Sequence, residues 1–145
     1  MSEIDTSLER APIPVVLYHG TNMAYLIDQM NKEGDEYINP SRGEVCLSSN
    51  LYTAYSAAYH TAIQFHFEPV LLIIDTEAVI SRGHTITPGY NNPTLNRSSE
   101  FRVPGLPNGT FRAYSLSGVR DSEVLFPDEY QDLINRLPTL DFREM

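Results

Sequence analysis

Three polar clusters in this sequence fall where apolar runs break off, and their residue types suit the chemistry of a ribose. The first is His19-Gly20-Thr21-Asn22, directly after Val15-Val16-Leu17-Tyr18. The second is Ser48-Ser49-Asn50, after Val45-Cys46-Leu47. The third is a glutamate leading a strand-like run: Glu100 in Ser98-Ser99-Glu100-Phe101-Arg102-Val103, or Glu123 in Asp121-Ser122-Glu123-Val124-Leu125-Phe126. A histidine and a threonine beside a glycine can hydrogen-bond a ribose or an amide while the backbone comes close to the ligand. Serines at a helix start suit a ribose hydroxyl, and the free N–H groups there suit a phosphate. A carboxylate at a strand mouth can bond a ribose hydroxyl and stabilise an oxocarbenium-like centre. Together these are the parts that cleave a glycosidic bond to a good leaving group such as nicotinamide.

Each cluster also has a plain structural reading. His19 can be a strand-end histidine bonded to backbone, and Ser48-Ser49-Asn50 is economically a helix cap. Glu44 and Glu123 can be solvated strand ends. His60 and His66 are not spaced as a helical metal pair, and His84 has no visible partner. Cys46, between Val45 and Leu47, reads as a small buried hydrophobe and not as a nucleophile.

The elements that must position these residues follow from periodicity. Residues 1–12 are polar and end in Ala11-Pro12, as a loose arm. Ile13 to Tyr18 is a short, continuously apolar strand. Thr21 or Asn22 can cap a helix carrying Met23, Leu26, Ile27 and Met30 at helical spacing. A turn at Asn39-Pro40-Ser41-Arg42-Gly43 precedes a strand from Glu44 to Leu47. A second helix then runs from about Leu51 to Phe65. Its alanines allow close approach to a sheet, and its tyrosines can line the rim. Val70 to Ile74 is a buried strand that ends at Asp75. From Ser81 to Thr110 the chain is rich in proline, glycine and asparagine, a functional or mobile loop in which 98–103 is a strand-like island. Strands at 111–116 and 123–126 and a short helix over 130–137 complete the domain, taken as 13–138 with a frayed tail from 139. Strand, helix, strand, helix, strand and then several strands predict an α+β domain with a small, split, mostly antiparallel sheet and two helices in its N-terminal half.

The bulk numbers limit the partners. The 145 residues suffice for one core. Net charge is −9, and Lys32 is the only lysine among the 10 basic residues. An acidic surface is poor for wrapping a duplex, although it leaves room for a local arginine pocket. One cysteine excludes an intrachain disulfide and a cysteine-based zinc site, and no metal is expected. The first residues lack the apolar core of a signal peptide, and no apolar run reaches the ~20 residues needed to cross a bilayer. The expectation is a cytoplasmic protein with no membrane association, or one delivered into a target cell.

Leu17-Tyr18-His19-Gly20-Thr21 resembles the first-strand signature of the ADP-ribosyltransferase fold in its His-Tyr-Glu branch. That branch includes the poly-ADP-ribose polymerases and, more distantly, the tRNA 2′-phosphotransferases. Gly43 to Ser48, with Ala54 and Ala58-Tyr59, is similar to the family's second strand and helix. Val70 to Asp75 resembles its next strand, and Ser98 to Gly105 the strand that opens with the catalytic glutamate. The resemblance implies NAD⁺ as co-substrate and a mono-ADP-ribosyltransferase acting on a macromolecular acceptor, protein or nucleic acid, in the manner of a toxin, an effector or a phage-encoded modifier. It implies that His19 bonds a ribose, that Gly20 offers its backbone to the nicotinamide amide, and that Thr21, Asn22, Ser48 and Ser49 support the site. Glu100 or Glu123 would be the catalytic carboxylate. Cys46 stands where the family keeps its stacking tyrosine, so Tyr52 or Tyr55 is expected to supply the ring. That departure motivates an alternative, a non-catalytic NAD⁺- or ADP-ribose-binding module. An RNA 2′-phosphotransferase is a further alternative, for which Arg42, Arg97 and Arg102 are the available arginines.

Overall fold

The computed structural model describes residues 13–30, 36–37, 44–65, 67–92, 97–120, 124 and 130–139. In chain order the elements are β1 (Val16–Asn22), α1 (Met23–Met30), β2 (Glu36–Tyr37), β3 (Val45–Ser48), α2 (Leu51–Phe65), β4 (Pro69–Asp75), α3 (Thr76–Ser81), β5 (Thr87–Asn92), β6 (Arg97–Val103), β7 (Leu106–Pro107), β8 (Phe111–Ser115) and α4 (Tyr130–Arg136). The fold is α+β. A six-stranded sheet has the order β5-β6-β3-β1-β4-β8, and β2 and β7 form a separate two-stranded ribbon. The strand pairings are antiparallel.

The first strand differs from expectation. It does not stop at Tyr18 but runs on through His19, Gly20 and Thr21 to Asn22. The apolar strand β4 lies beside it and pairs along its whole length, from Val16 opposite Asp75 to Asn22 opposite Pro69. A partner ladder satisfies the main chain of polar and glycine residues alike, and this outweighs their low strand propensity. The polar cluster is therefore inside the sheet.

The sheet is joined unevenly. β4 pairs with β1 over seven residues, whereas β3 meets β1 at one pair, Tyr18 opposite Ser48. The two halves, β5-β6-β3 and β1-β4-β8, part beside this pair.

Each face has its own core. On one face Leu17, Val45, Leu47, Leu72, Phe101 and Val103 pack with Leu26 of α1 and with Tyr37 and Leu106 of the ribbon. On the other, Leu71 and Tyr114 pack with Leu51, Ala54, Tyr55 and Ala58 of α2 and with Leu133 of α4. The alanine ridge of α2 lets its backbone approach β1: a Cβ on Gly20 would lie 1.9 Å from the Ala54 carbonyl oxygen.

Two strands besides the expected island arose within the proline- and glycine-rich stretch expected to be loop, β5 and β7, and the helix α3 directly precedes it. Asp75 ends β4 and bonds local backbone as expected, capping α3 by accepting from the Ala78 N–H. Thr139, at the start of the expected tail, forms a bridge with Tyr114. The N-terminal arm, the turn at 39–43, Glu123 and residues 140–145 lie outside the described residues; of the strand expected over 123–126 only Val124 is described, and it is helical and buried in the α2–α4 core.

Candidate functional site

A cavity of about 230 Å³ opens where the two half-sheets part. Tyr18, His19 and Gly20 of β1, Cys46, Leu47 and Ser48 of β3, Thr53, Ala54 and Ala57 of α2, and Glu100 of β6 line it. Strand register explains the grouping. Tyr18 stands opposite Ser48, and Ser48 opposite Glu100. Directly opposed residues project to the same side of a sheet, so these three side chains form one row across three strands, beneath the N-terminal part of α2.

His19 belongs to the other face. Alternation along β1 sends its ring to the side of Leu17 and Thr21, towards Tyr37. Its Nδ1–H donates to the Cys46 carbonyl oxygen at 2.7 Å; a carbonyl only accepts, so Nδ1 carries the proton. Nε2 lies 3.4 Å from the Tyr37 hydroxyl, a long and weak contact. Tyr37 and Thr21 share a bond of 2.7 Å between their hydroxyls. The assignment that satisfies every acceptor has Thr21 donating to Tyr37 and Tyr37 donating to Nε2. Burial pushes the His19 imidazole down from 6.5 to about 4, against a smaller opposing effect of the Cys46 bond, so the ring is neutral at pH 7. Burial pushes the Tyr37 phenol up to about 12, and the Thr21 bond works the other way. His19 thus borders the cavity as part of β1 while its ring ties β1 to β3 just past their one paired position.

The other residues singled out by sequence divide into those the structure gathers and those it does not. Gly20, Ser48 and Glu100 line the cavity with His19. Thr21 is buried on the opposite face with Tyr37. Asn22 is structural: its Oδ1 accepts from the Tyr25 N–H and caps α1, and its Nδ2 donates to Thr61 of α2. Of Ser48-Ser49-Asn50, Asn50 is the cap of α2, accepting from the N–H groups of Tyr52 and Thr53. Ser48 accepts from the Asn50 N–H, and Ser49 is exposed. Neither Tyr52 nor Tyr55 lines the cavity. Tyr55 is buried in the α2–α4 core and donates its hydroxyl to the Val119 carbonyl, and Tyr52 and Tyr59 flank it along the outer side of the helix.

Tyr18 is the aromatic that does line the cavity, and sequence reasoning passed over it as strand core. A signal for it existed: one residue from a buried His19, alternation puts it on the face shared with Ser48. Glu100 is held by Arg102, whose Nε and Nη2 both donate to Glu100 Oε1 at 3.3 Å, while Nη1 donates to Glu44 Oε1 at 3.2 Å. The bond to Glu100 is the main cause that raises the Arg102 guanidinium above its usual value.

No family model matches this chain, and no curated protein matches it.

Among the described residues the cavity offers the carboxylate of Glu100, the hydroxyls of Ser48 and Thr53 and the ring of Tyr18 around a space smaller than the ~300–1,000 Å³ of sites that enclose a drug-sized ligand. It suits part of a larger ligand, with the remainder outside. A larger and more open depression of about 570 Å³ lies at the β4–β8 side, between Val15, Asp75, Thr110 and Arg112. It holds none of the residues of the three polar clusters. Among the described residues no group of His, Cys, Asp and Glu is arranged to hold a metal ion, and no helix is long and apolar enough to cross a membrane.

Proposed function

We propose that this chain is a mono-ADP-ribosyltransferase that takes ADP-ribose from NAD⁺ and passes it to a macromolecular acceptor. The observation that carries the reading is the meeting of Glu100, Ser48 and the His19-Gly20 segment of β1 around one cavity. The cavity has the size for the nicotinamide riboside end of the dinucleotide, with the adenylate end lying outside. Glu100 accepts from a ribose hydroxyl and its charge favours the oxocarbenium-like centre at C1′. Ser48 supplies a second hydroxyl contact, and Tyr18 supplies the ring face for the nicotinamide. In the transfer, the bond from C1′ to the nicotinamide nitrogen breaks and its electron pair leaves with the ring, which becomes neutral. An oxygen or nitrogen of the acceptor bonds C1′ and its proton passes to solvent; the carboxylate of Glu100 keeps its charge throughout. His19 acts by holding the β1–β3 join on which the cavity depends.

The test is release of nicotinamide and transfer of label from NAD⁺ labelled in its ADP-ribose part, with cell lysate as the acceptor source. Glu100→Gln is expected to lower the rate roughly 10²–10³-fold, as loss of one electrostatic stabiliser does, with NAD⁺ affinity little changed. Tyr18→Leu is expected to weaken NAD⁺ binding roughly 2- to 10-fold, the scale of one aromatic pair. Unchanged turnover in Glu100→Gln sinks the catalytic assignment. The second reading is a binding module of the same fold. It is favoured by the His19 ring lying on the face away from the cavity. Tight NAD⁺ binding with no nicotinamide release decides for it, and failure to bind NAD⁺ at all removes both.

A further inference from the structure

We propose that Arg102 is the positioning residue for Glu100, and that Glu44 in turn holds Arg102. The inference rests on the reading of Glu100 as the carboxylate of the reaction. Alternation places all three groups on one side: Arg102 follows Glu100 by two residues on β6 and stands opposite Cys46, two residues after Glu44, which directly precedes β3. The guanidinium forks. Two of its donors converge on a single oxygen of Glu100, and a third reaches a single oxygen of Glu44.

The side chains are too exposed for these bonds to serve the stability of the fold. Arg102 is 43% exposed and each carboxylate 40%. Ion pairs of that kind are screened by water and contribute little to folding. They do fix direction. A glutamate has several freely rotating side-chain bonds, and a group aimed at a developing charge must be held to within ~0.5 Å. The planar fork of an arginine supplies that hold; the point charge of a lysine supplies only part of it. Arg102 also offsets one of two neighbouring carboxylates at a mouth through which an anionic dinucleotide must pass.

The experiment compares the wild-type chain with Arg102→Gln, Arg102→Lys and Glu44→Gln. Nicotinamide release and NAD⁺ affinity are measured separately, and the Glu100 side-chain methylene couplings are read by NMR without NAD⁺. In the wild type the couplings are expected to report one dominant rotamer; in Arg102→Gln they average. The rate of release in Arg102→Gln is expected to fall by up to ~10²-fold, the scale of a misplaced catalytic group, with NAD⁺ affinity within about threefold and the melting temperature unchanged. Arg102→Lys recovers part of the rate, and Glu44→Gln loses less than Arg102→Gln. A single Glu100 rotamer retained in Arg102→Gln overturns the inference, whatever the turnover. So does a loss that falls wholly on NAD⁺ affinity, which makes Arg102 a ligand of the diphosphate. A wild-type chain that neither binds NAD⁺ nor releases nicotinamide sinks the functional reading, while the NMR comparison still decides whether Arg102 fixes Glu100.

Discussion

The imidazole of His19 loses more by leaving water than its neighbours return to it. It donates once to the Cys46 carbonyl and meets the Tyr37 hydroxyl only at 3.4 Å, and burial lowers its pKa from 6.5 to about 4. The consequence is a pH dependence of stability with a definite sign. Between these two values the unfolded chain binds a proton that the folded chain does not, so stability falls as pH drops through that window. The contribution is fully present above about 6.5 and fully lost below about 4; with ~1.4 kcal/mol per pKa unit it spans about 3 kcal/mol. Urea denaturation of the wild type and of His19→Gln at pH 7.5 and at pH 4.5 checks this. The variant is expected to be less stable at pH 7.5, having lost the Cys46 bond, but to lose less on acidification. An equal loss in both chains refutes the buried, neutral imidazole. The same residue shows the limit of reading chemistry from type alone. His19-Gly20-Thr21 is legible as a special cluster, but which face its ring takes is a matter of strand parity, and parity is set by where pairing begins.

At the scale of elements, α2 and β1 are organised by one glycine. Gly20 reads from sequence as backbone on offer to a ligand, and the structure adds a packing reason for it: the Ala54 carbonyl and the Ala58 N–H lie at 1.9 and 2.6 Å from where a Cβ would stand. Those are backbone atoms of a helix and do not swing aside. Gly20→Ala is therefore expected to cost at least about 1–3 kcal/mol, the range for overpacking a tight contact. A thermal or denaturant melt reads the cost directly, and a variant as stable as the wild type overturns the close approach. Much of this element pair was legible. The alanine spacing of α2, its limits at Leu51 and Phe65, and a cap at Thr21 or Asn22 and within Ser48-Ser49-Asn50 follow from local chemistry, and the structure assigns the capping to Asn22 and Asn50. What was not legible depends on partners distant in sequence. β1 extends through polar residues because β4 pairs with them. β5 forms in a stretch of prolines and asparagines because β6 lies beside it, with register shifts at Pro88, Tyr90 and Asn91. The two-residue strands β2 and β7 carry too few residues for any period to show.

Across the whole molecule, two half-sheets meet at one pair, Tyr18 with Ser48, and the candidate site sits at that seam. A ladder of seven pairs between β1 and β4 opens only with the core, whereas a join of one pair can open locally. Amide exchange is thus expected to be slow at Leu71, Leu72 and Ile73 of β4 and faster at Leu47 and Ser48 of β3. The His19 ring strengthens the seam from one face by bonding the Cys46 carbonyl, so His19→Gln is expected to speed exchange at Cys46, Leu47 and Ser48 selectively. The β4 amides then change only by as much as global stability falls. If exchange rises by the same factor on both sides of the seam, the sheet opens as one unit and the split carries no dynamics of its own. A selective rise makes the cavity a place where the fold yields most easily, and it predicts the direction of ligand coupling. A molecule seated between β1, β3 and α2 binds the closed seam better than the open one, and must slow the same β3 amides in proportion to its concentration over its dissociation constant. NAD⁺ titrated into the wild type, with exchange followed at Cys46 to Ser48, tests the seam and the ligand together. Slowing confined to β3 places binding at the seam, and slowing at β8 alone places it in the open depression beside Arg112.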